Sequence, residues 1–159
     1  MVFDRAGDVD WICPVCRSRE TRFFENVRGR VYHRCEYCEA TYLSRSRLPA
    51  PEAERARYDE HRNSVYDPGY RQFLSRLARP LLELLPARAE GLDFGCGPGP
   101  ALVLMLTEAG HEMSCYDPFY APDETTLRRT YDFVTATEVV EHLHRPYETF
   151  SLLGRLLEP

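Results

Sequence analysis

The chain has 159 residues, of which 43% are hydrophobic and 28% charged; this fits one domain, or one domain plus a small module, and excludes a disordered tail. A net charge of −5 argues against non-specific nucleic-acid binding as the main activity of the whole chain. All 20 basic residues are arginine, which removes a Walker A loop, a Schiff-base lysine and a lysine general base.

The N-terminus carries Asp4, Asp8 and Asp10 and shows no basic or apolar region of a secretory signal. The longest apolar run, Ala101 to Leu106, is far too short to span a bilayer. A cytoplasmic protein without a membrane span is expected.

Two cysteine pairs follow, Cys13-Pro14-Val15-Cys16 and Cys35-Glu36-Tyr37-Cys38, separated by the 18 residues from Arg17 to Arg34. Each C-x-x-C turn can point two thiolates at one ion, and two turns complete a tetrahedral S4 site, so structural Zn2+ is expected on Cys13, Cys16, Cys35 and Cys38. Without a signal peptide, and with Cys96 and Cys115 left over, a disulfide framework fits less well. Thr21–Asn26 and Arg30–Arg34 bracket Val27-Arg28-Gly29 and read as a short hairpin, the layout of a zinc ribbon. Glu39 stands where a ribbon usually has glycine, so a less tightly wound second knuckle is expected. His33 is read either as a substitute ligand or, the plainer reading, as an exposed strand residue. Residues 1–48 hold nine arginines against seven acids, an excess that four thiolates and one zinc ion cancel.

Leu48-Pro49-Ala50-Pro51 reads as a stiff linker. Glu52–Arg62 reads as a polar helix, ended by Asn63-Ser64 and an Asp67-Pro68-Gly69 turn. Tyr70, Phe73, Leu74, Leu77, Leu81 and Leu84 recur at helical spacing, which predicts one or two amphipathic helices over Gly69–Leu85, kinked or restarted at Pro80.

The stretch Gly91-Leu92-Asp93-Phe94-Gly95-Cys96-Gly97-Pro98-Gly99-Pro100 is a strand running into three alternate glycines. A helix over Ala101–Ala109 follows, with Gly110 as its C′ residue. Strand, glycine turn and helix together let backbone approach a ligand closely. The dinucleotide fingerprint needs a small residue where this chain has Pro100. Here an acid, Asp93, stands two residues before the first glycine; it suits a positively charged ligand better than a pyrophosphate. S-adenosylmethionine (SAM), with its ammonium and sulfonium, meets that description. The next strand, Glu112–Tyr116, ends at Asp117, whose carboxylate can accept both ribose hydroxyls. Phe119 can cover the adenine face; the alternatives are an Asp-Pro turn for Asp117 and plain core for Phe119. A third strand, Tyr131–Thr135, runs through Ala136-Thr137 into a helix over Glu138–Leu143.

These residues resemble the class I SAM-dependent methyltransferases, most closely the methylase group that includes polyprenyl-benzoquinol methyltransferases. The matching pieces are LDFGCGPG (92–99), YDPF (116–119), YDFVTATEVVEHL (131–143) and a helix ending LLEP (156–159). The resemblance implies that Asp93, Gly95, Cys96, Gly97 and Gly99 line the methionine end of the cofactor. It implies that Asp117, with Pro118 and Phe119, holds the nucleoside and that Thr135 and Ala136 border the methyl group. Only 13 residues separate Asp117 from Tyr131, so the family's strand in that interval is expected to be short or missing. The family continues past LLEP with further strands. The chain is therefore expected to be the first part of a longer protein, inactive alone and able to self-associate through the exposed Tyr131–Thr135 edge.

Glu138, Glu141 and His142 at i, i+3 and i+4 would share one helix face. An E-x-x-E-H of this kind holds a divalent metal in small-RNA methyltransferases; otherwise the acids favour a helix start and His142 packs. Glu138 and His142 are the catalytic candidates, His142 as general base. His61, Tyr66 and Tyr70 are candidates to meet the acceptor, with helix packing the equal alternative.

The expected fold is α/β: a zinc ribbon at 1–48, a linker and helical bridge at 49–69, and the N-terminal half of a Rossmann-like methyltransferase sheet at 70–159. The expected activity is methyl transfer from SAM to an unidentified small-molecule acceptor. A zinc-ribbon nucleic-acid-binding module or an RNA methyltransferase is the alternative; nucleic acid is not favoured, because the ribbon offers no clear basic, aromatic-interleaved face.

Overall fold

The computed structural model describes residues 11–44 and 64–158. The linker 48–51, the helix expected at 52–62 and His61 lie outside them. Contacts divide the chain into two units: 1–50 with 143–151, and 51–142 with 152–159.

In the first unit, β1 (Thr21–Val27) and β2 (Arg30–Cys35) form an antiparallel hairpin. Arg28 and Gly29 make its turn with φ of 52° and 81°, the doubly left-handed pair that matches strand twist. The Gly29 amide donates to Asn26 Oδ1 at 2.9 Å, closing the turn. A short β3 (Thr41–Leu43) adds to β2, giving the order β1-β2-β3. His33 is neither exposed nor part of the cysteine cluster. It is 7% exposed, edge-on to Trp11 and stacked on Tyr42, because register and ring packing turn it inward.

In the second unit, α1 (Pro68–Leu84) is one helix that runs through Pro80. The expected Asp67-Pro68-Gly69 turn is its start: Asp67 caps it, accepting from the Tyr70 amide at 2.6 Å, and Pro68 supplies the first turn. β4 (Glu90–Phe94), α2 (Ala101–Glu108) and β5 (Glu112–Tyr116) form a β-α-β unit. β6 (Phe133–Thr135) pairs with β4 on its other side, so the sheet is parallel with order β5-β4-β6. Among the described residues no strand lies between Tyr116 and Phe133; a 3-10 turn at Glu124–Arg128 occupies that interval.

Two apolar clusters support this sheet. Leu74 and Ala78 of α1, Leu102 and Leu106 of α2, Ala89 and Phe133 form one. Leu92, Tyr131 and Leu156 form the other, with Leu152 and Leu153 packed on it. Neighbouring residues of β6 serve opposite clusters, Phe133 one and Val134 the other, as the two-residue strand period requires. Gly91 is small because the Phe133 ring lies over it: an added Cβ would come within 2.2 Å of that ring. Helix α3 (Pro146–Arg155) ends just before Leu156 and Leu157; Leu157 bridges in parallel to Tyr131.

Candidate cofactor site and cysteine cluster

The two C-x-x-C segments have matching backbones. The amide of the first cysteine donates to the carbonyl five residues on, Cys13 to Ser18 at 2.8 Å and Cys35 to Ala40 at 2.9 Å. The residue after each second cysteine is left-handed, Arg17 with φ 62° and Glu39 with φ 60°. The second knuckle is therefore wound as tightly as the first, contrary to expectation. Both non-glycine residues accept a left-handed conformation costing roughly 1–2 kcal/mol each. Cys13 and Cys38 Sγ lie 3.6 Å apart, as do Cys16 and Cys35 Sγ. All four sulfurs are mutually within 4.8 Å. A tetrahedral zinc at its usual bond length would separate sulfurs by about 3.8 Å, so the donor set fits that ion. Burial raises the Cys16 thiol to about 12. At Cys35 burial also acts upward, but N–H donors from Cys38 and Tyr37 and its thiol neighbours bring it down to about 7. The Arg17 side chain is pinned as well: its guanidinium lies 3.8 Å from the Tyr147 ring centroid and 2.7 Å from Glu148.

The second constellation sits at the C-terminal ends of β4, β5 and β6. Gly95 takes φ 77° and Gly97 φ 64°, which lets the chain reverse after β4 while the Gly95 amide donates to Tyr116 O at 2.7 Å. At Gly95 a Cβ would come within 2.4 Å of Val139 Cγ2, whereas at Gly97 it would meet nothing within 4 Å. One glycine is needed for packing; the other leaves the loop's outer face open.

Asp117 is 7% exposed, and its carboxylate organises the loop. Oδ2 accepts from the Gly97 amide at 3.0 Å, and Oδ1 accepts from Phe119 and Tyr120 amides at 2.8 and 3.1 Å. Of about four acceptor positions on a carboxylate, three are taken, leaving room on Oδ2 for one ligand hydroxyl rather than two. Asp93, 5% exposed, accepts from Thr135 Oγ1 at 2.7 Å. Burial pushes its carboxyl up to about 6; Thr135 opposes this and the Asp117 charge adds to it. Burial also raises the Cys96 thiol far above its ordinary value, so Cys96 is a packing residue in thiol form. Among the described residues neither carboxylate has an ion-pair partner. Two buried acids without a cation favour a positively charged ligand over a phosphate.

Pro118 is exposed; Phe119, Ala136, Gly97 and Gly99 are half-buried around this end of the sheet. The expected helix at Glu138–Leu143 is absent. Glu138 is left-handed at φ 56°, and only a 3-10 turn, Val140–His142, follows. Val139 against Gly95 fixes this bend, which overrides local helix preference. Glu138, Glu141 and His142 thus share no helix face, and among the described residues the four cysteines form the one group arranged for a metal. Tyr70 packs on the α1 cluster and stacks on Phe73, as the packing alternative held, while Tyr66 is exposed. Val139 and Thr137 were not singled out from sequence. Thr137 Oγ1 is buried without a hydrogen-bond partner, and no spacing rule signals either residue.

Comparison with protein families matches residues 58–159 to the Methyltransferase domain family. The chain belongs to that family. No curated protein and no solved structure gives a significant match. Family membership makes methyl transfer the activity class and implies SAM as methyl donor. Among the described residues no helix is long and apolar enough to cross a membrane.

Proposed function

We propose that this is a SAM-dependent methyltransferase of the Rossmann-like class, close to the polyprenyl-benzoquinol methylase group, acting on a small-molecule acceptor and carrying a zinc ribbon over residues 1–48. The observation that carries the reading is the pairing of two buried carboxylates, without a cation partner among the described residues, with an open glycine loop at one end of a parallel sheet. SAM supplies an already activated methyl group, so the protein's task is alignment.

In this reading Asp93 faces the cationic methionine end. The loop of Gly95, Cys96, Gly97 and Gly99 gives backbone approach, and the free position on Asp117 accepts a ribose hydroxyl. Pro118 and Phe119 border the nucleoside, with Thr135 and Ala136 at the adjoining strand end. His142, with Glu138 nearby in sequence, is the candidate base for an acceptor proton. The four cysteines hold Zn2+ as a structural ion, whose ligand set is closed to substrate.

Isothermal titration of the full chain with SAM, and separately with NADH, tests the proposal. SAM binding with no competition from NADH is expected, since Pro100 stands where a dinucleotide loop needs a small residue. A preference for NADH would overturn it.

A further inference from the structure

Thr135 stands directly opposite Asp93 in the parallel register of β4 and β6. Its side chain is turned into the sheet end: the residue is 5% exposed, and its hydroxyl lies 2.7 Å from Asp93 Oδ1 and 3.5 Å from Leu92 O. A threonine hydroxyl has one proton to give. At these distances it goes to the carboxylate, so the hydroxyl is spent inside the protein rather than offered to a ligand.

We infer that Thr135 is a positioning residue, which fixes Asp93 Oδ1 through its hydroxyl and leaves Oδ2 for the cationic end of the cofactor. This rests on the SAM reading of the site and changes the role of Thr135 from a border of the methyl group to a support behind the acid. Burial and the neighbouring acid both oppose the ionisation of Asp93. Burial is the larger of the two, the Asp117 carboxylate adds charge repulsion, and the neighbouring thiols of Cys96 and, across the register, Cys115 bring no positive charge. Among the described residues Thr135 is the one side chain found to stabilise the charged form. A short hydrogen bond to a carboxylate in such a setting both holds the rotamer and keeps the group ionised near neutrality.

The test uses the full chain with Thr135→Val, a near-isosteric loss of the hydroxyl, and Thr135→Ser, which keeps it. The Asp93 carboxyl is followed by carbon-13 NMR against pH without ligand, and SAM affinity is measured by calorimetry across the same range. Wild type should titrate near the raised value and lose SAM affinity as pH falls through it. Thr135→Val should move both midpoints up by about one pH unit and weaken binding at pH 5, below both midpoints, roughly tenfold, but at pH 7 only about twofold. Thr135→Ser should restore both. A residue that only filled space would leave the midpoints where they are. Coincident midpoints in wild type and Thr135→Val, or a serine variant that titrates differently from wild type, would overturn the inference. The serine result decides it even if the valine chain fails to fold. If wild type ignores SAM, the functional reading fails, while the unliganded titration still decides the Thr135–Asp93 pairing.

Discussion

The cysteine unit and the glycine-loop unit are stabilised by different means. In the first, the buried residues named above are two cysteines and His33, while Trp11, Phe23, Phe24 and Tyr37 stay largely exposed. Three left-handed non-glycine residues, Arg17, Arg28 and Glu39, add strain there. The second has two apolar clusters, one on α1 and α2 and one around Leu92, Tyr131 and Leu156. Besides a left-handed Arg88 ahead of β4, it carries a buried carboxylate, a left-handed Glu138 and an unpartnered Thr137 hydroxyl at the C-terminal end of its strands. A three-stranded hairpin sheet of this size is marginal on its own, so under the zinc proposal its fold depends on the ion. The parallel sheet, with two apolar clusters on it, carries buried polar groups that the SAM proposal assigns to a ligand.

The largest effect expected from that contrast is metal removal. Chelation, or Cys35→Ser, should abolish hydrogen-exchange protection over 21–43 and leave that of 90–94 and 101–108 nearly unchanged, since structural zinc supplies on the order of 10 kcal/mol to small sites. Elemental analysis should find about one zinc per chain. Equal loss of protection in both regions would break the contrast.

Next in size are the loop variants. Gly95→Ala should destabilise the second unit by roughly 2–4 kcal/mol, because the new Cβ needs a left-handed backbone and meets Val139. Asp117→Ala removes the acceptor of three amides, so melting temperature should fall along with SAM affinity, the latter about ten- to hundredfold. Gly97→Val should spare the melting temperature more than Gly95→Ala while blocking SAM, since space before Gly97 is open.

A smaller effect, of opposite sign, is expected at Asp93. Its folded-state value of about 6 lies above the ordinary 3.8. The native state therefore holds the proton more tightly than the unfolded chain, and stability falls as pH rises from near 4 to 6. The penalty at neutral pH is about 2–3 kcal/mol. Asp93→Asn should raise the melting temperature at pH 7.5, leave it nearly unchanged at pH 4, and lose SAM binding. Thermal unfolding at the two pH values checks this; a stabilisation independent of pH would contradict it. The smallest expected effect is weak self-association through the β6 edge, visible as a concentration-dependent sedimentation coefficient.

The parts legible in the sequence are those where one residue type leaves the backbone few choices. Arg28-Gly29 marks the hairpin, the alternate glycines mark the turn after β4, and the strand Glu112–Tyr116 has the limits its flanking residues suggest. Features decided by remote contacts were not legible. Three residues make β3, too few for a period. His33 is buried by Trp11 and Tyr42, one well before it and one well after. The run Glu138 to Leu143 favours helix, yet Val139 against Gly95 bends it. Asp117 was read as a ribose acceptor from its place at a strand end, whereas its amide partners depend on how the loop closes.

The most direct test of the two-region account is an amide NMR titration of the full zinc-loaded chain with SAM. It should shift the amides of Gly95, Gly97, Phe119 and Tyr120 and leave those of 21–43 unmoved. Unshifted loop amides at saturating SAM, or shifts concentrated in the hairpin, would contradict it.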